Sequence, residues 1–404
     1  MAKTVTRRDL LAGAAGTIGA AALAPVGGRA LAQGRDTTKL PGAPASALGA
    51  RSPHEPLVRG AVRGAASRTP LQDLHGIITP SDVHFERHHA GIPAVDPADY
   101  RLLIHGLVER PTVLTLADLK RFPATSRICF LECSGNYPQE AGPETKPENV
   151  CGMTSTTEWT GVSLATLFRE VGARPDATWF LAEGQDAAVM TRSVPMEKAW
   201  DDALIAYAQN GEALRPAQGY PARLLLPGWE GNSNVKWLRR LELGDRPFMT
   251  REETSKYTDP LADGTARQFS FVFDARSIIT SPAYPDVVEP GWIEIRGIAW
   301  SGRGTIVQVD VSTDGGRTWQ AARLQEPVLR QAHTRFRHLW RWDGGPAEIM
   351  SRATDDSGYV QPTRAALRAT RGRRARRYHL NPITAWRVER GGRVVYREEP
   401  PWDA

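Results

Sequence analysis

The sequence predicts two domains in series: an α+β domain over residues 71–265, then an immunoglobulin-like β-sandwich over residues 266–404. Three observations predict it. At 404 residues the chain is too long for one small core. Its 30 prolines and 37 glycines favour many turns and strands over a helical bundle. The apolar pattern also changes near residue 270, from mixed helix and strand periods to short alternating strands.

Residues 1–32 lie outside this fold. Thr6-Arg7-Arg8-Asp9-Leu10-Leu11 sets paired arginines before a mild apolar stretch, and Ala30-Leu31-Ala32 offers small residues for cleavage. This is a twin-arginine export signal. The stretch from Leu10 to Ala24 is too short and too rich in Gly and Ala for a membrane span. Nothing later in the chain is apolar enough either, so the expected location is the periplasm. Such export carries folded proteins, often with a cofactor in place, which is the first pointer to a prosthetic group.

Residues 33–70, rich in Gly, Ala, Pro and Arg, read as a flexible or wrapping lead-in. "YRLLIHGLV" (100–108) follows as a strand, then "TLADLKRFP" (115–123) as a short helix with Thr115 at its N-cap. "RICFLEC" (127–133) is a strand, and "VSLATLFREVG" (162–172) is an amphipathic helix ended by Gly172. "TWFLAEG" and "ARLLLPG" (222–228) complete the mixed pattern of the first domain.

In the second domain, "GWIEIRGIAW" (291–300), "TIVQVDVSTDGGRTWQAARL" (305–324), "RFRHLWRW" (335–342) and "AEIMSRATDDSG" (347–358) alternate as strands. Turn residues separate them, among them Asp314-Gly315-Gly316. The spacing is that of a sandwich, without the paired cysteines of antibody domains.

Net charge is +6, and Lys3, Arg7, Arg8 and Arg29 against Asp9 account for half of it. That is no nucleic-acid signature. Basic charge concentrates instead at Arg364, Arg368, Arg371, Arg373, Arg374, Arg376 and Arg377, with no acid among them. Two readings stand: a solvated face, or an attractive patch for an anionic substrate or acidic partner. The three cysteines cannot all pair within one chain, so disulfides do not organise this fold.

The chemistry centres on Cys133. Strand alternation puts Cys129, Leu131 and Cys133 on one face, and Ser134-Gly135-Asn136 follow as a turn. A thiol at a strand end, beside small side chains, sits where a cofactor can approach closely. Sulfur is a soft ligand that a metal deprotonates. An inert buried thiol is the ordinary reading for a lone cysteine, and it is the one given to Cys129 and Cys151. There is no C-x-x-C, no zinc-like His pair, no C-x-x-C-H for haem and no iron–sulfur run. G-x-G-x-x-G and Walker A motifs are also missing.

Six stretches taken together resemble the sulfite oxidase family of molybdenum enzymes. They are "FERHHAGIP" (85–93), "FLECSGN" (130–136), "TEWTGVSL" (157–164), "QGYPARLLLPG" (218–228), "NVKWL" (234–238) and "VDVSTDGGRTW" (309–319). The wording of "TPLQDLHGIITPSDVHFERHHAGIP" and "RLLIHGLVERP" is similar to one branch, the molybdenum subunits of bacterial sulfane dehydrogenases of the thiosulfate-oxidising system. The resemblance implies a molybdopterin-binding domain with the sulfite oxidase fold, then a dimerisation domain and hence a homodimer. It implies a molybdenum–molybdopterin cofactor with Cys133 as metal ligand. Phe85, Arg87, His88 and His89 would bind the pterin, as would Asp186, Gln218, Arg223, Asn234, Val235 and Lys236. Arg87 would also face the anionic substrate, and Tyr257 would stand at the active-site tyrosine.

Departures from the family bear on the substrate. Tyr137-Pro138 stand where sulfite oxidases carry two arginines, and a pocket tryptophan is replaced near Asn149. Gln218 replaces a pterin histidine, and a substrate arginine of the second domain falls at His379. Each lost oxyanion contact removes on the order of 1.5–3 kcal/mol. Such a pocket is expected to bind free sulfite weakly and to admit a sulfane sulfur carried on a protein's cysteine. Oxygen transfer to that sulfur would leave two electrons. With no haem motif in the chain, a separate cytochrome c subunit would accept them. Two other functions stay open: a sulfite dehydrogenase, and a non-catalytic periplasmic assembly scaffold.

Overall fold

The computed structural model describes residues 41–138, 141–372 and 378–397. The stretch expected to be an export signal, the start of the lead-in and four arginines of the basic run lie outside the described residues. Residues 41–55 belong to a separate unit that carries turns only, and everything from Pro56 onward is one unit.

The first half holds two five-stranded sheets. One runs Glu212–Ala213, Leu204–Gln209, Thr154–Ser163, Ala124–Glu132, with Arg223–Leu225 also pairing to Leu204–Gln209. The other runs Thr112–Leu114, Leu102–Gly106, Leu238–Gly244, Trp179–Gly184, Thr191–Pro195, and Leu102–Gly106 lies parallel to Leu238–Gly244. A single core takes Leu102, Ile104, Phe180 and Leu241 from the second sheet and Val162, Ile205 and Leu224 from the first. The helix Leu164–Glu170 adds Leu164, Leu167 and Phe168, the apolar positions one helical turn apart. Gly172 closes that helix with φ +67°, the left-handed conformation glycine tolerates. The short helix Leu116–Leu119 starts from a full capping box between Thr115 and Asp118, as expected.

Within the lead-in, expected to be flexible or wrapping, residues 60–68 are paired strands. Gly60–Arg63 and Ala66–Arg68 form a hairpin, and the second strand pairs with Glu86–Arg87. Propensity missed it because the strands are short and draw their stability from a partner some twenty residues away rather than from their own pattern.

The second half is a sandwich of two antiparallel sheets. One orders Arg276–Ser281, Gly291–Trp300, Thr334–Trp342, Arg323–Gln325. The other orders Gln320–Ala321, Ile306–Ser312, Ala347–Asp355, Ala385–Val388, Val394–Tyr396. Asp314 makes the Gly315-Gly316 hairpin turn by accepting the N–H groups of Arg317 and Thr318 at 3.0 and 2.9 Å. Ile295, Trp300, Val309, Phe336 and Trp386 fill the core, and the same cluster contains Leu71, Phe130, Val150 and Cys151 from the first half. The two halves therefore share buried surface. The strand Ala124–Glu132 mediates this: Phe130 points into the sandwich core, while Cys129 and Leu131 join a separate cluster with Phe85, Trp159 and Cys133.

Candidate active site

Cys133 follows directly on the strand Ala124–Glu132 and keeps the sheet pairing, its N–H donating to Met153 O at 3.0 Å. The turn after it is closed by Asn136 N–H on Cys133 O at 2.9 Å. Asn136 then staples the turn. Its amide donates to Glu132 Oε1 at 2.9 Å and Cys151 O at 2.8 Å, and its Oδ1 accepts Met153 N–H at 2.9 Å. Behind the turn, buried Glu132 accepts Arg276 Nη1 at 3.0 Å and Trp300 Nε1 at 2.6 Å, both from the sandwich. The second domain thus braces the thiol-bearing turn from the rear. Burial pushes the Cys133 thiol up, while the Gly135 N–H and Arg87 pull it down. Cys129 and Cys151 are fully buried, and burial outweighs the nearby cations and lifts them to about 12 and about 11.

Cys133 opens into a cavity of about 1160 Å³. Every residue expected to bind cofactor or substrate lines it: Phe85, Arg87, His88, His89, Asp186, Gln218, Arg223, Asn234, Val235, Lys236 and Tyr257. The segment from Phe85 to His89 is fixed at both ends of its short strand. Phe85 N–H reaches Thr69 and Ser155 hydroxyls at 3.1 and 3.2 Å, and Phe85 O accepts Gln218 Nε2 at 2.9 Å. His88 accepts Lys236 Nζ on Nδ1 at 2.8 Å and donates from Nε2 to Glu86 at 3.1 Å. Tyr257 follows a single π-helical turn, Glu252–Lys256, and its hydroxyl meets His89 Nε2 at 3.0 Å.

Two cations dominate the inner wall. Arg223 is 3% exposed and donates only to main-chain oxygens, of Gln218 at 3.0 Å, Asn234 at 2.8 Å and Leu224 at 3.4 Å. Lys236 donates to Ala217 O at 3.0 Å and Arg87 O at 3.2 Å besides His88. Among the described residues neither has a carboxylate within ion-pair distance. Burial lowers Arg223 to about 9, and burial with the Arg223 and Arg87 charges pushes Lys236 well below the usual ammonium range. A buried cation without a counter-ion is costly. An anion entering the cavity would supply the counter-charge. Of the lining residues Arg87, Arg223, Lys236, Lys256 and Arg364 are cationic, against the carboxylate of Asp186. His84, also on the wall, is fully buried and leaves Nε2 without a hydrogen-bond partner. Its Nδ1 serves Phe85 O at 2.9 Å.

These features fit a molybdopterin. Its phosphate would satisfy the unpaired cations, its polar ring edge would find Asp186 and main-chain groups, and its metal would take the Cys133 thiolate. Among the described residues no cluster of His, Cys, Asp or Glu could hold a metal by itself. The donor set thus suits a metal carried in by a group with ligands of its own.

Several roles differ from expectation. The Asn234 side chain is consumed in bracing its own loop, with Oδ1 accepting Leu226 N–H at 2.6 Å and the amide donating to Glu230 O at 3.0 Å. Asn149 and His379 do not line the cavity. His379 turns away at φ 53° into carboxylates, donating to Glu230 at 2.9 Å and Asp259 at 3.1 Å. The histidine thus does not restore the cationic contact expected to be lost at this position. Sequence reasoning missed Arg192, Glu230, Glu253 and Asp259, which form that buried cluster, and Tyr378, Tyr396 and Arg364, which add an aromatic and cationic wall. Arg364 alone carried a signal, as the first member of the basic run.

Comparison with known proteins identifies the family. Residues 89–252 match the oxidoreductase molybdopterin binding domain, and residues 267–385 match the Mo-co oxidoreductase dimerisation domain. The chain is 32% identical over 316 residues to sulfite oxidase of Gallus gallus, covering 72% of this chain and 69% of that one. An NADH nitrate reductase of Ulva prolifera is 30% identical over 344 residues, 73% of this chain and 39% of that one. The mouse sulfite oxidase is also longer, and the match spans 58% of it. Among solved structures, the sulfane dehydrogenase SoxCD from Paracoccus pantotrophus superposes with a TM-score of 0.84 at 44% identity, covering 90% of this chain and 96% of that chain. The chain belongs to the sulfite oxidase family of molybdopterin oxidoreductases.

Proposed function

We propose that this protein is the molybdenum subunit of a periplasmic sulfane dehydrogenase. It would oxidise sulfane sulfur held on a carrier protein and hand the electrons to a cytochrome c partner. The observation that carries the reading is the wall beside Cys133. Tyr137 and Pro138, at the positions of the family's two arginines, line it with Tyr378 and Tyr396, and His379 faces away. An aromatic wall beside a cavity of this volume suits a thiol-borne sulfur on a peptide arm better than a small dianion. The likeness to a solved sulfane dehydrogenase over 96% of that chain supports it.

When bound, molybdopterin supplies two-electron redox chemistry and oxygen-atom transfer to sulfur. Each oxygen added to the sulfur comes from one water and releases two protons and two electrons. The protein's own residues do the rest. Cys133 would hold the metal. Arg87, on the exposed rim, would neutralise charge growing on the sulfur product. The His89–Tyr257 pair would hold a proton at the phenol oxygen. Exposed Trp292 and Leu339, on adjacent strands of the sandwich, fit a homodimer interface within the dimerisation domain. The paired arginines at Arg7-Arg8 support export.

The cationic lining favours a second reading, sulfite dehydrogenase, because free sulfite is an anion. Elemental analysis of the purified protein beside Cys133→Ser tests the metal assignment; molybdenum and optical spectrum should change together. Kinetics with sulfite against a persulfide carrier separate the substrates. Rapid turnover of micromolar sulfite would defeat the sulfane reading, and a protein without molybdenum would point to a scaffold.

A further inference from the structure

A buried charged cluster ties the turn after Cys133 to Tyr257, and one carboxylate is its hub. Glu230 is 1% exposed. Its Oε1 takes Arg192 Nη2 at 2.8 Å; its Oε2 takes His379 Nε2 and Asn232 Nδ2, both at 2.9 Å. Each partner leads on to the site. The Asn232 amide also donates to Ser134 Oγ at 2.8 Å, one residue past the thiol. The His379 main-chain N–H donates to Ser134 O at 3.0 Å. Arg192 is pinned by Glu253 at 2.7 Å, and its guanidinium carbon lies 5.2 Å from the centre of the Tyr257 ring. Asp259, two residues beyond Tyr257, accepts the other imidazole nitrogen of His379 at 3.1 Å.

We propose that Glu230 is a positioning residue that sets the Cys133 turn against Tyr257, with His379 tying the C-terminal domain into the same alignment. A charge cluster serving stability alone could sit anywhere in the core. This one ends on atoms that flank both groups. Hydrogen bonds to a buried charge have direction, and breaking one strands the rest, so the cluster admits one arrangement of its partners. Outer partners of this kind orient ligands in metal sites generally.

The inference rests on Cys133 being the metal thiolate, and the experiment keeps the two apart. The holoenzyme is compared with Cys133→Ser, Asn232→Ala and Glu230→Gln. The readouts are the thiolate-to-metal charge-transfer band, molybdenum per chain, and kcat and KM on a persulfide-bearing peptide. Asn232→Ala cuts the link to Ser134 while leaving every buried charge paired. It should keep its molybdenum, shift the band and lower kcat about 10–100-fold, with KM unchanged. Glu230→Gln should act in the same direction, and Glu230→Asp should recover part of the loss. An Asn232→Ala enzyme with the parent band and rate overturns the proposal. So does one that simply loses molybdenum, since that marks retention rather than alignment. If Glu230→Gln fails to fold, Asn232→Ala decides alone. A band that survives Cys133→Ser sinks the metal assignment instead.

Discussion

Gly231 lies flush against Cys133. A β-carbon on it would fall 3.3 Å from Cys133 Cα and 2.6 Å from the Glu132 carbonyl oxygen. Both neighbours are main chain in a sheet, so neither can swing aside as a side chain would. The loop carrying Glu230 and Asn232 therefore touches the thiol-bearing turn backbone to backbone. Gly231→Ala should cost about 1–3 kcal/mol through overpacking and displace Cys133. Denaturation and metal analysis check this: both the midpoint and the molybdenum content should fall. A stable, fully loaded variant would show that the turn has slack.

Glu132 and Arg276 couple the sandwich to the same turn, at 3.0 Å and with both side chains buried. Arg276→Leu leaves Glu132 buried, without its cation and, among the described residues, held only by Trp300 and Asn136, where either keeping the charge or taking up a proton costs stability. Burial already pushes the Glu132 carboxyl up, against the pull of Arg276. Loss of one partner of such a pair costs about 3–5 kcal/mol. Adding Glu132→Gln to Arg276→Leu should return part of it, because no charge is then stranded. Denaturant titrations of the single and double variants measure the difference.

Tyr257→Phe removes the hydroxyl bonded to His89 at 3.0 Å and keeps the ring beside Arg192 and Tyr378. The phenol is pushed far up by burial and by the nearby Cys133, so it acts as a neutral donor rather than a phenolate. Losing one such bond is worth about 0.5–1.5 kcal/mol, a several-fold fall in kcat with molybdenum content unchanged. Steady-state kinetics on metal-normalised enzyme give the answer. An unchanged rate would remove Tyr257 from the chemistry.

What could be read from the sequence was what lies in contiguous stretches. The Phe85–His89 segment, the Cys133 strand and the Asn234–Lys236 stretch each carry their own wording, and the fold brings them to one cavity. Alternating strands likewise disclosed the sandwich. The Glu230 cluster was invisible because Arg192, Glu230, Glu253, Asp259 and His379 are common polar residues spread over most of two domains, and only folding makes them neighbours. Asn234, expected to bind the cofactor, lines the cavity, but local hydrogen bonds already occupy its side chain. Whether a polar group faces a ligand or its own loop is decided by backbone direction, which a motif does not carry.

The same cluster gives stability an alkaline limb. Burial alone would depress His379, but its bonds to Asp259 and Glu230 win and raise it to about 9 from an ordinary 6.5. Arg371 and Arg267, 3.8 and 3.9 Å from Asp259, and Arg192, 2.8 Å from Glu230 and itself paired with Glu253 at 2.7 Å, are charges in the surroundings. A raised value means the folded state holds its proton more tightly than the unfolded chain does. That contribution is complete below about 6.5 and is lost as pH climbs through about 9. Two buried imidazoles give the acid limb: burial lowers His84 to about 3 as well, and His333 shows how. Burial first, then Arg335 and His84, lower it from 6.5 to about 3. It packs neutral between Phe130 and Trp300 and bonds Thr154 at 2.9 Å. Below about 6.5 the unfolded chain gains a proton that the folded one refuses, so stability drains as pH falls toward about 3. Denaturant midpoints across this range should peak near neutrality. His379→Gln should flatten the alkaline side, and His333→Gln part of the acid side. If both variants instead shift the whole curve down without changing its slopes, the two imidazoles hold the fold by packing, and their protons are irrelevant to it.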